Sequence, residues 1–146
     1  MSYNLEQANS GYASLTSAGL AAGTNAGTFQ TGNALTFTNN GIFYSKNATN
    51  NVALTAGHAA VGPSKACLFG VFINAAGTFS TTQGPIVDAG DPCPVPPFPA
   101  GSVTLVGLIK VATNSSTTFT PGTTAFGAAG VTSTYLNCMR MPGTAQ

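Results

Sequence analysis

The sequence predicts an all-β protein: an antiparallel β-sandwich or barrel of about seven or eight short strands, preceded by a flexible N-terminal arm. Three observations point there. From Ala34 onward, apolar residues gather in short β-branched and aromatic runs, parted by clusters of Gly, Asn, Ser and Pro, as strands joined by turns would require. No convincing helical pattern comes between these runs. Charged residues make up 5% of the chain against about 25% in an average protein. Apolar residues, at 43%, are ordinary, so the chain can fold but has little charge with which to repel a neighbour. Its 146 residues suit one domain, divided into a small-residue arm at 1–33 and a β domain at 34–146.

The arm is rich in Gly, Ala, Ser, Thr and Asn. Leu5, Ala8, Tyr12, Leu15, Gly19 and Ala22 recur at spacings that fit a helix seam, yet Gly11, Gly19 and Gly23 each weaken a helix by about 1 kcal/mol relative to Ala. An extended or partly ordered arm is expected, with a short helix packed on a partner as the alternative. Leu35 and Phe37 then alternate with polar residues, Asn39-Asn40-Gly41 tolerates positive φ, and Ile42 to Ser45 returns, which makes a hairpin. Val52 to Thr55 is a further short strand. Ala66 to Ile73 is the most apolar stretch and is expected to be the central strand, buried on both faces. Asn74-Ala75-Ala76-Gly77 turns it into Thr78 to Gln83, a second hairpin.

Residues 84–101 hold most of the prolines, which excludes a helix or a central strand and predicts an extended, polyproline-like crossover able to lie fixed on a surface. Val103 to Thr113 is a long apolar strand, Thr117 to Thr120 a short one ended by Pro121-Gly122, and Val131 to Leu136 closes the domain. Residues 122–130 form a loop of small residues around Phe126, placed to plug an internal or a neighbouring pocket. Tyr44, Phe69, Phe72, Phe79, Phe119 and Tyr135 lie in these strands and are expected in the core.

Composition also removes function classes. Four Lys or Arg, scattered as Lys46, Lys65, Lys110 and Arg140, cannot neutralise a run of phosphates, so nucleic acid is not an expected partner. No 18-residue apolar run suggests a membrane span, and the start Met-Ser-Tyr-Asn-Leu-Glu lacks the pattern of a secretory signal, so a product made in the cytosol is expected. Cys67, Cys93 and Cys138 show no metal-binding spacing and are expected to stay reduced.

Catalysis needs titratable groups held together, and the only candidate general base is His58, in Thr55-Ala56-Gly57-His58. That segment resembles the histidine region of chymotrypsin-like proteases, but the Gly-x-Ser-Gly nucleophile segment is absent. Asp88 and Asp91 sit where calcium ligands would, though two carboxylates before Gly and Pro are explained by turn formation. No catalytic residue, cofactor or metal is therefore expected.

The run Ala66–Phe79 (ACLFGVFINAAGTF), the Pro-rich link and Gly107–Thr124 (GLIKVATNSSTTFTPGTT) resemble small structural proteins of tailed bacteriophage particles, over about residues 34–140. The resemblance implies a virion component with no catalytic residues. Within that class, a compact β domain with an arm suits a head decoration or cement protein that binds the major capsid protein or other virion proteins and self-associates. The alternatives are a trimeric tail or head fibre module and a carbohydrate-binding module. Expected partner contacts are Leu5, Tyr12 and Leu15 of the arm, Phe29 and Phe37 at its boundary, Val95 and Phe98 of the Pro-rich link, and Phe126.

Overall fold

A computed structural model describes residues 11–139. Among them there are strands, turns and loops and no helix. The architecture is all-β and sandwich-like, built from antiparallel sheets that do not close into a barrel.

The strands in chain order are β1 (Ala13–Ser14), β2 (Leu20–Ala22), β3 (Thr28–Thr31), β4 (Leu35–Asn39), β5 (Ile42–Lys46), β6 (Thr49–Ala53), β7 (Lys65–Asn74), β8 (Phe79–Gln83), β9 (Val87–Asp88), β10 (Val103–Thr113) and β11 (Val131–Asn137). A five-stranded sheet runs β11-β10-β7-β8, with β9 also paired to β7. Two three-stranded sheets, β1-β4-β5 and β2-β3-β6, complete the fold.

The expected central strand is present. Lys65–Asn74 is flanked by β10 and β8, and eight apolar residues in succession let it bury both faces. The β4–β5 hairpin also follows the sequence: Asn40 and Gly41, both at positive φ (52° and 77°), form its two-residue turn and set Phe37 opposite Tyr44. The β7–β8 hairpin turns at Asn74–Gly77 as expected. The strand expected at Thr117–Thr120 shrinks to a single bridge between Phe119 and Val61, because Phe119 turns into the core and Pro121 ends the pairing.

The arm is a correction. Residues 13–31 supply β1, β2 and β3, and β1 pairs with β4 while β3 pairs with β6. Ala13, Ala18, Leu20 and Phe29 are buried, so this part of the chain belongs to the β domain and the boundary at residue 33 disappears. A helix seam through Tyr12, Leu15, Gly19 and Ala22 disappears with it. The part of the arm reading that falls on residues 1–10 lies outside the described residues, as does Leu5.

The core lies between the inner face of the large sheet and the two small ones. Phe69, Val71 and Ile73 from β7 and Val106, Ile109 and Val111 from β10 meet Phe29, Leu35 and Phe37 from the opposite side. Phe29 reaches Phe79 edge-on, with ring centroids 6.1 Å apart. A bulge in β10 between Leu105 and Gly107 adds Val106 to the core face without breaking the ladder. Hydroxyl and amide side chains join the sheets at their margins: Thr104 Oγ1 donates to the Thr38 carbonyl (2.6 Å), and the Leu20 N–H donates to Asn137 Oδ1 (2.9 Å).

Candidate interaction surfaces

The titratable groups are dispersed. His58 stands in the loop after β6, half-buried, with Nε2 2.8 Å from Thr81 Oγ1 and its ring edge-on to Phe69. Burial lowers its pKa from the ordinary 6.5 and so favours the neutral ring. No carboxylate among the described residues orients it: Asp88 is paired with the Lys65 ammonium, and the Asp91 N–H closes a turn on the Asp88 carbonyl (3.1 Å). Among the described residues there is no group of three or more His, Cys, Asp and Glu that could hold a metal ion. All three cysteines are free thiols. Burial raises the pKa of Cys67 and Cys138, for Cys67 against the opposing effect of its hydrogen bond from Gln83, so neither is activated as a thiolate.

The surface offers contact area instead. On the outer face of the large sheet, alternation and register place Leu105 opposite Phe72, and Leu108 between Gly70 and Leu136. The Pro-rich link lies across part of this face. Phe98 packs edge-on against Phe72, with centroids 4.8 Å apart, and Thr82 Oγ1 donates to the Pro97 carbonyl (2.8 Å). Gly70 makes room, since a Cβ there would stand 2.8 Å from the Phe72 ring. Phe98 is still 63% exposed and Val95 75%, and Leu136 at 58% is uncovered beside Leu108. Tyr12, Phe98, Leu105, Cys138 and Met139 line a shallow groove of about 360 Å³, with no charged side chain among the described residues of its walls.

Seven of the eight expected contact residues lie among the described residues and can be placed. Tyr12, Val95 and Phe98 are exposed apolar surface, and Leu15 is half-buried. Phe29, Phe37 and Phe126 are corrected: each is at most 1% exposed and belongs to the core. Phe29 and Phe37 sit on strands whose inward face meets the large sheet, and Phe126 fills an internal pocket between Phe119 (5.2 Å) and Tyr135 (6.4 Å). Sequence inspection missed Ile42 and Phe43, exposed on β5, and Leu136, exposed on β11. Their apolar character was visible, but the face each one occupies depends on the sheet order.

The two edges of the large sheet differ in chemistry. Bonds from Asn74 N–H to the Thr78 carbonyl and from Gly84 N–H to the Leu68 carbonyl fix the phase of the β7–β8 ladder, so the main chain of Phe79, Thr81 and Gln83 points away from β7. The loop after β6 meets that edge. Thr81 N–H donates to Thr55 Oγ1 (2.8 Å), Thr55 N–H donates to Thr81 Oγ1 (2.9 Å), and the Gln83 amide exchanges bonds with the main chain of Ala59.

On the other side, bonds from Asn114 N–H to the Gly130 carbonyl and from Cys138 N–H to the Val106 carbonyl set the phase of the β10–β11 ladder. Thr132, Thr134 and Leu136 therefore bond to β10, and the main chain of Ser133, Tyr135 and Asn137 faces outward. Those outward groups have no hydrogen-bond partner among the described residues. Comparisons with family models, with curated proteins and with solved structures return no match to this chain.

Proposed function

We propose that this chain is a non-enzymatic structural protein of a virus particle, a head decoration or cement protein that binds other virion proteins through apolar surface and strand edges. The observation that carries this is the uncharged apolar groove and the exposed leucine and phenylalanine beside it, on a scaffold whose single described histidine is tied to a threonine. Contiguous exposed apolar patches rimmed by polar residues mark sites that take up another protein. Few charges mean that such a contact would depend on area and hydrogen bonds and would change little with salt. The resemblance to tailed-phage structural proteins supplies the class of partner, the major capsid protein or a neighbour on the shell.

The test is quantitative mass spectrometry of density-purified particles from cells that express the chain. Hundreds of copies per particle support decoration of the head. A few tens or fewer would move the chain to a tail or fibre, and its absence from particles would overturn the proposal.

A further inference from the structure

The edge of β11, bare among the described residues, goes beyond that proposal, and its consequence stands whether or not the chain binds a particle. An unpaired row of N–H and C=O groups that is not left to water is a template for another extended strand. Natural edges usually reject such pairing with a lysine, a proline, a bulge or a very short length. The sequence of β11, Val-Thr-Ser-Thr-Tyr-Leu-Asn, has no charge, no proline and no glycine, and its pairing with β10 runs without a register shift. The edge of β5, by contrast, ends in Lys46, and the edge of β8 is already occupied by Thr55 and Ala59.

We infer that β11 pairs antiparallel with β11 of a second copy of this chain, joining two large sheets into one across a two-fold axis at Thr134. That axis sets Ser133 of one copy opposite Tyr135 of the other, both with outward main-chain groups, so the two residues exchange both N–H···O=C bonds and symmetry repeats the exchange. Thr134 faces its own equivalent, and Leu136 faces Thr132, which covers the exposed leucine. The pairing brings no charge near its like. Lys110 lies one strand in from Thr134, so the two Lys110 side chains stand three strand spacings apart, roughly 14 Å. That exceeds the screening length of about 8 Å at physiological salt.

Two measurements on the full chain test this. Sedimentation over a wide concentration range is expected to show a monomer–dimer equilibrium. Amide exchange followed by NMR over the same range is expected to show Ser133 and Tyr135 exchanging fast in the monomer and slowly in the dimer, while Thr134 and Leu136, bonded to β10, stay slow in both. Thr134→Lys places two cations face to face at the axis and is expected to weaken dimerisation about tenfold or more, with the β-sheet circular dichroism unchanged.

A monomer at every concentration would overturn the inference. So would a dimer in which the Ser133 and Tyr135 amides still exchange fast, or one that Thr134→Lys leaves intact. Slow exchange of those two amides in the monomer would show that the edge is covered within one chain, with the same consequence. Because the exchange pattern is read on the unaltered chain, it decides the matter even if the variant fails to fold. Loss of particle binding with the dimer retained would count against the virion proposal alone.

Discussion

The two edges of the large sheet begin alike, each a strand with alternate main-chain groups turned outward, and end differently. At β8 a loop from another part of the chain sets the Thr55 hydroxyl on the outward Thr81 N–H and Ala59 on the Gln83 side-chain amide, and the Thr81 hydroxyl ties in His58 as well. At β11 nothing among the described residues does so. What holds β11 in place comes from below and from one side: Phe126 packs against Tyr135, the Ser133 hydroxyl donates to the Phe126 carbonyl (2.6 Å), and β10 supplies the ladder. A strand edge can thus be closed by side chains within the fold, or be anchored firmly and left open.

If β11 depends on its underside, removing that support should have the largest effect. Phe126→Ala empties a fully buried aromatic site and is expected to cost about 3–5 kcal/mol in denaturant unfolding. Protection of the Thr134 and Leu136 amides should fall before that of Ser80 and Thr82. A cost under about 1 kcal/mol would mean that the loop around Phe126 does not anchor the strand.

The closed edge is next. Thr81→Val keeps the shape of a side chain only 3% exposed but leaves the Thr55 N–H without its acceptor, and about 1–3 kcal/mol is expected to be lost. Thr134→Val, on the open edge and exposed, should fall within about 0.5 kcal/mol of the unaltered chain. Equal costs at the two positions would erase the distinction between the edges.

How much of this the residues announce depends on the range of the contact. The β4–β5 turn is legible because Asn40-Gly41 is a local conformational requirement. The central strand is legible because an unbroken apolar run of that length has few other uses. By contrast, β1 to β3 are two to four residues long and carry mostly Ala, Ser, Thr and Gln, so no apolar alternation marks them. Their burial is decided by sheets formed elsewhere, and for that reason Phe29 and Phe37 look like surface in the sequence and are core in the fold. The candidate surfaces are harder still. Val95 and Phe98 could be picked out from the proline-rich context, but the closed edge rests on hydroxyls meeting backbone across 26 residues. The open edge exists only because β10 reaches past the Pro-rich link to pair with β7, leaving β11 outermost.

Protonation of His58 bears on the closed edge. Burial holds the folded-state pKa of His58 below its unfolded value of 6.5, so the stability this creates is present above 6.5 and lost as pH falls through the folded value. Thermal unfolding of the native chain should therefore lose ground on acidification relative to His58→Gln, with the gap between them narrowing from neutral pH to about pH 5. A constant gap would mean that burial of the ring does not discriminate between its charge states.

The smallest effect belongs to the ion pair that ties β9 to the start of β7, on the closed side of the sheet. Lys65 and Asp88 are 44% and 70% exposed, so water and salt screen their attraction. The pairing of β9 is also held by the register of Lys65 with Asp88 and of Ala66 with Val87, and by the Ala89 N–H bonding to the Ser64 carbonyl (2.9 Å), none of which needs the charges. Lys65→Met is therefore expected to cost less than about 1 kcal/mol at low salt and nothing measurable near 1 M salt, where the screening length is about 3 Å. A larger loss that persisted in high salt would show that the lysine stem packs on the sheet. The closed side would then owe its closure to apolar cover as well as to hydrogen bonds.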